Sequence, residues 1–187
     1  MSDFEKLIKA ITGIEDKLIE GAQNGLRKAG ARVAGTAKAK LGEYQPGVGE
    51  YPAWAKLKPE TIKRKNLNEK GKVKKSGKEY LKKYGSFAPS GTGDDSPLVD
   101  TGALRQAITT DESELEKGNI YIGVPSGKKS SKGKNKKASD VTVYAAAHEF
   151  GSARQNIPPR PYLRPSVVEN KEEIAEDIKN GIADFLS

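Results

Sequence analysis

From Phe4 to Val33 apolar side chains recur every three or four residues: Phe4, Leu7, Ile8, Ile11, Ile14, Leu18, Ala22, Leu26, Ala29 and Val33. That period belongs to one face of a helix. Ser2 followed by Glu5 has the spacing of a capping box that starts one, so the pattern predicts a helix over 3–40. Gly13, Gly21, Gly25, Gly30 and Gly35 interrupt it. Each interior glycine costs about 1 kcal/mol relative to alanine, so packing has to hold the helix. In its second half the stripe turns small (Ala22, Gly25, Ala29, Ala37), which permits a close backbone approach to a sheet or a neighbouring helix. The simplest partner for such a stripe is the chain's own core. A dedicated oligomer face is the other reading.

The remaining apolar residues are distributed unevenly. Leu, Ile, Val and Phe number 37 of 187, just under the level of about 20% where disorder becomes a concern. Residues 66–97 hold only Leu67, Val73, Leu81 and Phe87, and residues 126–140 hold none of the four types. The sequence therefore predicts one domain over 1–187, with a packed core and two long polar insertions, 66–97 and 127–140, read as extended basic loops. Within the first of them, 77–84 also allows a short helix. Segment 51–98 has 12 basic and 5 acidic residues, and segment 127–140 has 6 Lys and one Asp. The formal net charge of +8 thus belongs to the insertions.

Between these lie short elements. Residues 41–58 form a Pro/Gly-rich loop holding Trp54, the only Trp. Pro59 suits the first position of a short basic helix, 59–66. Asp100 or Thr101 can cap a helical turn at 101–107. Ile108 to Glu116 reads as a weak strand, Ile120, Ile122 and Val124 as a better one, and Val141 and Val143 as a third. The Lys-rich 127–140 segment then becomes the tip of an antiparallel hairpin. Residues 145–151 read as a helical turn closed by Gly151. Residues 158–165, with four prolines, read as a rigid extended segment, and Ser166 with Glu169 as the start of the last helix. The order gives an α+β fold: a small, mainly antiparallel sheet against a long N-terminal helix and a C-terminal helix.

Little chemistry is encoded. There is no Cys and one His, which excludes disulfides, thiolate nucleophiles and His–His metal pairs. His148-Glu149 opens like a zinc-protease motif, but Ser152 stands where the second His belongs. Ser152 also lacks the Gly-x-Ser-x-Gly setting of a hydrolase nucleophile. Gly127 to Lys134 resembles a phosphate loop with the wrong spacing. The sequence predicts no enzyme and no cofactor. No stretch approaches the ~18 apolar residues of a membrane span, which points to a soluble basic protein without a membrane partner. Nucleic-acid binding is the serious rival class, because the two basic segments 51–98 and 127–140 carry 18 Lys or Arg residues, with Tyr80 and Tyr84 interleaved in the first. No recognition motif accompanies them.

One ordered set of motifs is more informative. Trp54-x-x-Leu57-x-x-x-Thr61-x-x-x-Lys65 is followed by Leu98-Val-Asp100-Thr101-Gly102-Ala-Leu104-Arg105, then Ile120-Tyr-Ile-Gly123 and Tyr144-Ala145-x-x-His148-Glu149-Phe150-Gly151. Last comes Pro158-Pro-Arg160-Pro161-Tyr162-Leu163-Arg164-Pro165. This resembles the tail-completion, or head–tail-joining (virion morphogenesis), proteins of tailed bacteriophages over about residues 50–65 and 97–186. The two insertions depart from that pattern.

The resemblance implies a non-enzymatic part of the virion neck or tail end, assembled in the host cytoplasm. Its copies would form a ring, usually sixfold, that joins the head connector to the tail or completes the tail. Partners would be other copies and adjacent neck, portal-adaptor or tail-tube proteins, with passing contact with genomic DNA. A ring needs a heterologous interface that closes on rotation. The Pro-bounded segment offers Arg160, Tyr162, Leu163 and Arg164 as anchors for it, although Tyr162 and Leu163 would equally pin the segment to their own core. Trp54, Thr101, Gly102, Leu104, Tyr144, His148, Glu149 and Gly151 are expected in structural roles, with Gly102 at a capped turn and His148 as a hydrogen-bonded turn residue. A lysine-lined bore would retard sliding DNA. Lys128, Lys129, Lys132, Lys134, Lys136 and Lys137 are therefore expected to face a neighbouring ring or solvent.

Overall fold

The computed structural model describes residues 2–68, 70–90, 95–127 and 140–186. Helix α1 runs from Asp3 to Lys40, and Ser2 and Glu5 form the capping box at its start. After the loop come α2 (Pro59–Lys65), with Pro59 in its first turn, and α3 (Lys75–Tyr84). Then follow α4 (Ala103–Ala107), β1 (Thr109–Asp111), a 3-10 turn (Leu115–Lys117) and β2 (Tyr121–Gly123). Helices α5 (Val141–Phe150), α6 (Leu163–Glu169) and α7 (Lys171–Leu186) complete the described chain. The fold is α+β. Strands β1 and β2 pair antiparallel, with Thr110 opposite Ile122, and they sit against α1 where Gly30 leaves room for the Ile120 side chain.

Helices α1 and α7 pack antiparallel along the glycines of α1. A Cβ added at Gly25 would stand 2.5 Å from the Cα of Ile178, and one at Gly21 would stand 2.8 Å from the Cα of Ile182. The glycines that weaken α1 as an isolated helix therefore permit its closest packing. Arg32 clamps the pair with a two-pronged hydrogen bond to Asp177, at 2.8 and 3.0 Å. The main core gathers Ala34 and Ala37 of α1 and its C-cap Leu41 with Trp54, Leu104, Ile108, Val141, Ala145 and Tyr162. A smaller core of Leu57, Ile62 and Tyr80 lies under α2 and α3, with Tyr84 and Phe87 packed against it. Tyr44 touches both cores.

Three expectations need correction. Val141 and Val143 are not in a strand: they open α5, where the Asp140 side chain accepts the Thr142 N–H at 2.8 Å. Val141 and Ala145, one turn apart, face the core together. Four alternating residues fit either period, and the aspartate cap with an apolar i, i+4 pair decides for the helix. The third strand and the hairpin fall with it, since β2 pairs with β1. Second, residues 66–97 are not one extended loop. They contain α3 and an antiparallel bridge between Leu67 and Val73, because Tyr80 found a core to enter.

Third, the Pro-rich segment is already helical at Leu163. Pro165 sits in the first turn of α6, where a missing N–H costs nothing. Ser166 does not cap the last helix. Its hydroxyl lies buried inside α6 and donates to the Tyr162 carbonyl at 2.6 Å. The chain breaks at Asn170, whose side-chain amide donates to the Ser166 carbonyl at 2.7 Å and to Thr36 Oγ1 at 3.1 Å.

Candidate assembly interface

The motif residues converge on one buried junction, where α5 meets the start of α6. Glu149, in the last turn of α5, is buried, and one carboxylate oxygen accepts the backbone N–H groups of Tyr162 (2.7 Å) and Leu163 (3.0 Å). Its other oxygen accepts the Arg164 N–H at 3.2 Å and the Arg164 Nε–H at 3.0 Å. The first amides of a helix lack partners within the helix and carry partial positive charge. A carboxylate from α5 therefore caps α6, and the Arg164 guanidinium balances its charge. Arg164 also stacks over the rings of Tyr51 and Phe150, at 5.0 and 4.6 Å.

Arg160 and Tyr162, expected as anchors for a neighbour, are buried within their own chain. Arg160 is buried and its guanidinium donates to the Ala55 carbonyl, at 3.0 Å from Nε and 2.8 Å from Nη2, which straps the 51–58 loop to the core. Tyr162 is 0% exposed. Trp54 closes the same junction, donating its indole N–H to the Pro161 carbonyl at 2.9 Å. Leu163 is half-buried, and Arg164 keeps an exposed face. Gly102 has the left-handed conformation (φ 77°) expected of it, next to the Thr101 hydroxyl that accepts the Ala103 N–H at 3.3 Å. Leu104 is buried in the core, and Gly151 is left-handed in φ against Pro159.

His148 differs from its expected role. It lies within α5 with its ring edge-on to Tyr144. Its Nδ1 and the Tyr162 hydroxyl are buried without hydrogen-bond partners among the described residues. Burial, and secondarily the charge of Arg160, hold the imidazole down at about 4. Lys65 is likewise pushed down, to about 8, chiefly by burial. Its ammonium donates to the carbonyls of Asp95 and Ser96 and so ties α2 to the 95–100 turn.

Among the described residues two apolar surfaces stand out as open. The first is the N-terminal half of α1, where Phe4 (70% exposed), Leu7, Ile8, Ile11, Ile14 and Leu18 stand in solvent. The second is a groove of about 340 Å³ beside the capped junction, lined by Val33, Ile122, Val124, Ala146, Phe150 and Val167. Its rim carries Phe150 (65% exposed) and Val167, and Val143 of α5 is exposed as well. No simple spacing signal marks the Glu149 cap, since the carboxylate and the amides it holds are 13 to 15 positions apart. Lys128, Lys129, Lys132, Lys134, Lys136 and Lys137 lie outside the described residues.

Among the described residues no group of three or more His, Cys, Asp or Glu side chains is placed to hold a metal ion. No described helix is long and apolar enough to cross a membrane. No protein-family model and no solved structure matches the chain. It is similar to an uncharacterised protein, MJ0331, of Methanocaldococcus jannaschii, with 34% identity over 77 residues. The match covers 38% of this chain and 57% of that protein.

Proposed function

We propose that this protein is a structural component of a tailed-bacteriophage particle, a neck or tail-completion part that acts by assembly rather than catalysis. The order of the family's four motifs suggests the role. The observation that supports it best is the presence of two separate exposed apolar surfaces on one small folded body: the α1 stripe, and the groove with its Phe150 and Val167 rim. Monomers seldom expose contiguous apolar patches beyond a few hundred Å². A part that contacts several neighbours needs more than one such surface.

The test is a particle experiment. In phage carrying this gene, the protein should co-sediment with complete virions, and a nonsense mutation should leave DNA-filled heads and tails unjoined, or tails unfinished. Its absence from purified particles, with full infectivity of the mutant, overturns the reading.

A basic nucleic-acid-binding protein is the second reading, and a specific feature favours it. Lys63, Arg64, Lys74, Lys75, Lys78, Lys82 and Lys83 are all exposed on the small body built by α2 and α3. Electrophoretic shift separates the two. Duplex binding that survives moderate salt supports this second reading, because sequence-blind phosphate contacts weaken steeply as salt rises.

A further inference from the structure

Helix α1 carries a seam that its own chain covers only in part. The backbone of α7 meets the stripe at Gly21 and Gly25. N-terminal to these, Phe4, Leu7, Ile11, Ile14 and Leu18 continue it in strict alternation of three and four, the repeat of a two-helix seam. All five are exposed, as is Ile8 beside them.

We infer that this seam is completed by a second copy of the chain, the two α1 N-terminal halves pairing antiparallel about a two-fold axis near residue 9. Three features favour this occupant. The first is area. Phe4, Leu7, Ile8, Ile11 and Ile14, the five large side chains the register covers, are exposed by 48% to 70% and present on the order of 500 Å² per copy. A pair would bury on the order of 1,000 Å², the least that a specific interface needs.

The second is charge. With Phe4 against the partner's Ile14 and Leu7 against the partner's Ile11, Asp3 falls beside the partner's Lys17, and Lys17 beside the partner's Asp3. In a parallel pair Asp3 would flank Ile8 and Lys17 would flank Ala22, with no ion pair gained. The third is steric. The stripe that faces a partner is the one α7 already occupies at Gly21 and Gly25, so a parallel pair would drive two α7 helices into the same space. The antiparallel register places the partner's helix over residues 3–15 and puts the two bodies at opposite ends.

This contact is isologous and closes no ring by itself. It stands on α1 alone and does not depend on the virion reading. A subunit that pairs this way would leave its groove face free for other neighbours.

Sedimentation equilibrium on the full chain should show a monomer–dimer equilibrium. Ile11→Lys should raise the dimer Kd by about 100-fold or more while leaving the circular dichroism melt of the body in place, because Ile11 is exposed and lies N-terminal to the stretch that α7 covers. Lys17→Asp should weaken the dimer by about tenfold, and the double variant Asp3→Lys/Lys17→Asp should restore it to within about threefold. Nitroxide labels on Glu20→Cys, the only cysteine in the chain, should lie about 30 Å apart or more, from 1.5 Å of rise per residue on each side of the axis. A monomer throughout, a dimer indifferent to Ile11→Lys, or labels within about 20 Å of each other would each overturn the inference.

Discussion

At the residue scale the molecule depends on buried charge that is closely partnered. The Glu149 carboxylate accepts three backbone N–H groups and one guanidinium N–H, all from residues 162–164. Glu149→Ala leaves those amides and part of Arg164 without their partner, the Tyr162 amide at a fully buried residue. Removing one side of a buried charged network costs about 3 kcal/mol or more, so the urea midpoint should fall sharply. Glu149→Gln keeps an acceptor oxygen but loses the charge, and should recover part of the loss. A wild-type midpoint in Glu149→Ala would show that the cap carries no energy.

His148 gives a pH dependence of predictable sign. Unfolded, the ring takes a proton near pH 6.5; folded, it stays neutral down to about 4. Between those values the unfolded chain binds more protons, so stability falls as pH drops from about 6.5 towards 4, by up to about 3 kcal/mol. His148→Gln should flatten that slope in a series of unfolding curves. An unchanged slope would assign the acid sensitivity to other groups.

At the element scale the α1–α7 pair is set by absent side chains. Gly21, Gly25 and Gly181 bring the two backbones into contact. Gly25→Val would gain helix propensity and still destabilise the fold, because its Cβ would stand 2.5 Å from the Cα of Ile178. Forcing the helices apart should cost about 3 kcal/mol. Gly35→Ala, with nothing within 4 Å of the new methyl, should instead stabilise by about 0.5–1 kcal/mol. Thermal melts of the two variants should shift in opposite directions, and parallel shifts would mean that the glycines act through propensity alone.

At the scale of the whole molecule two cores share one chain. Trp54 is buried in the larger and reports on it alone, being the only Trp. Tyr80 anchors the smaller, with its hydroxyl donating to the Ala88 carbonyl at 2.7 Å. Tyr80→Ala should loosen α2 and α3 and open the 66–90 stretch to protease at its many lysines, while Trp54 fluorescence keeps its native emission. A red-shifted Trp54 spectrum in Tyr80→Ala would show that the cores fold as one unit, coupled through Tyr44.

Much of this organisation was legible in the chain itself. The three/four period and the Ser2–Glu5 box marked α1 to the residue, Pro59 marked α2, Gly102 its left-handed turn, and Thr110 and Ile122 fall in the two stretches read as strands. These are local signals, set by backbone sterics and by side chains a turn apart. What the tertiary structure alone decided lies at longer range. Val141 fits a strand or a helix by its alternation; the Asp140 cap is a local signal for the helix, and the core that buries Val141 and Ala145 on one face is the part only the tertiary structure supplies. Arg160 and Tyr162 turned inward because the Ala55 carbonyl, more than a hundred residues away, accepts the first and the main core packs around the second. The large stripe of α1 looks the same in sequence whether covered or bare. Only the placement of α7 shows that one half is packed and the other stands in solvent, because burial depends on what other parts of the chain bring to a surface.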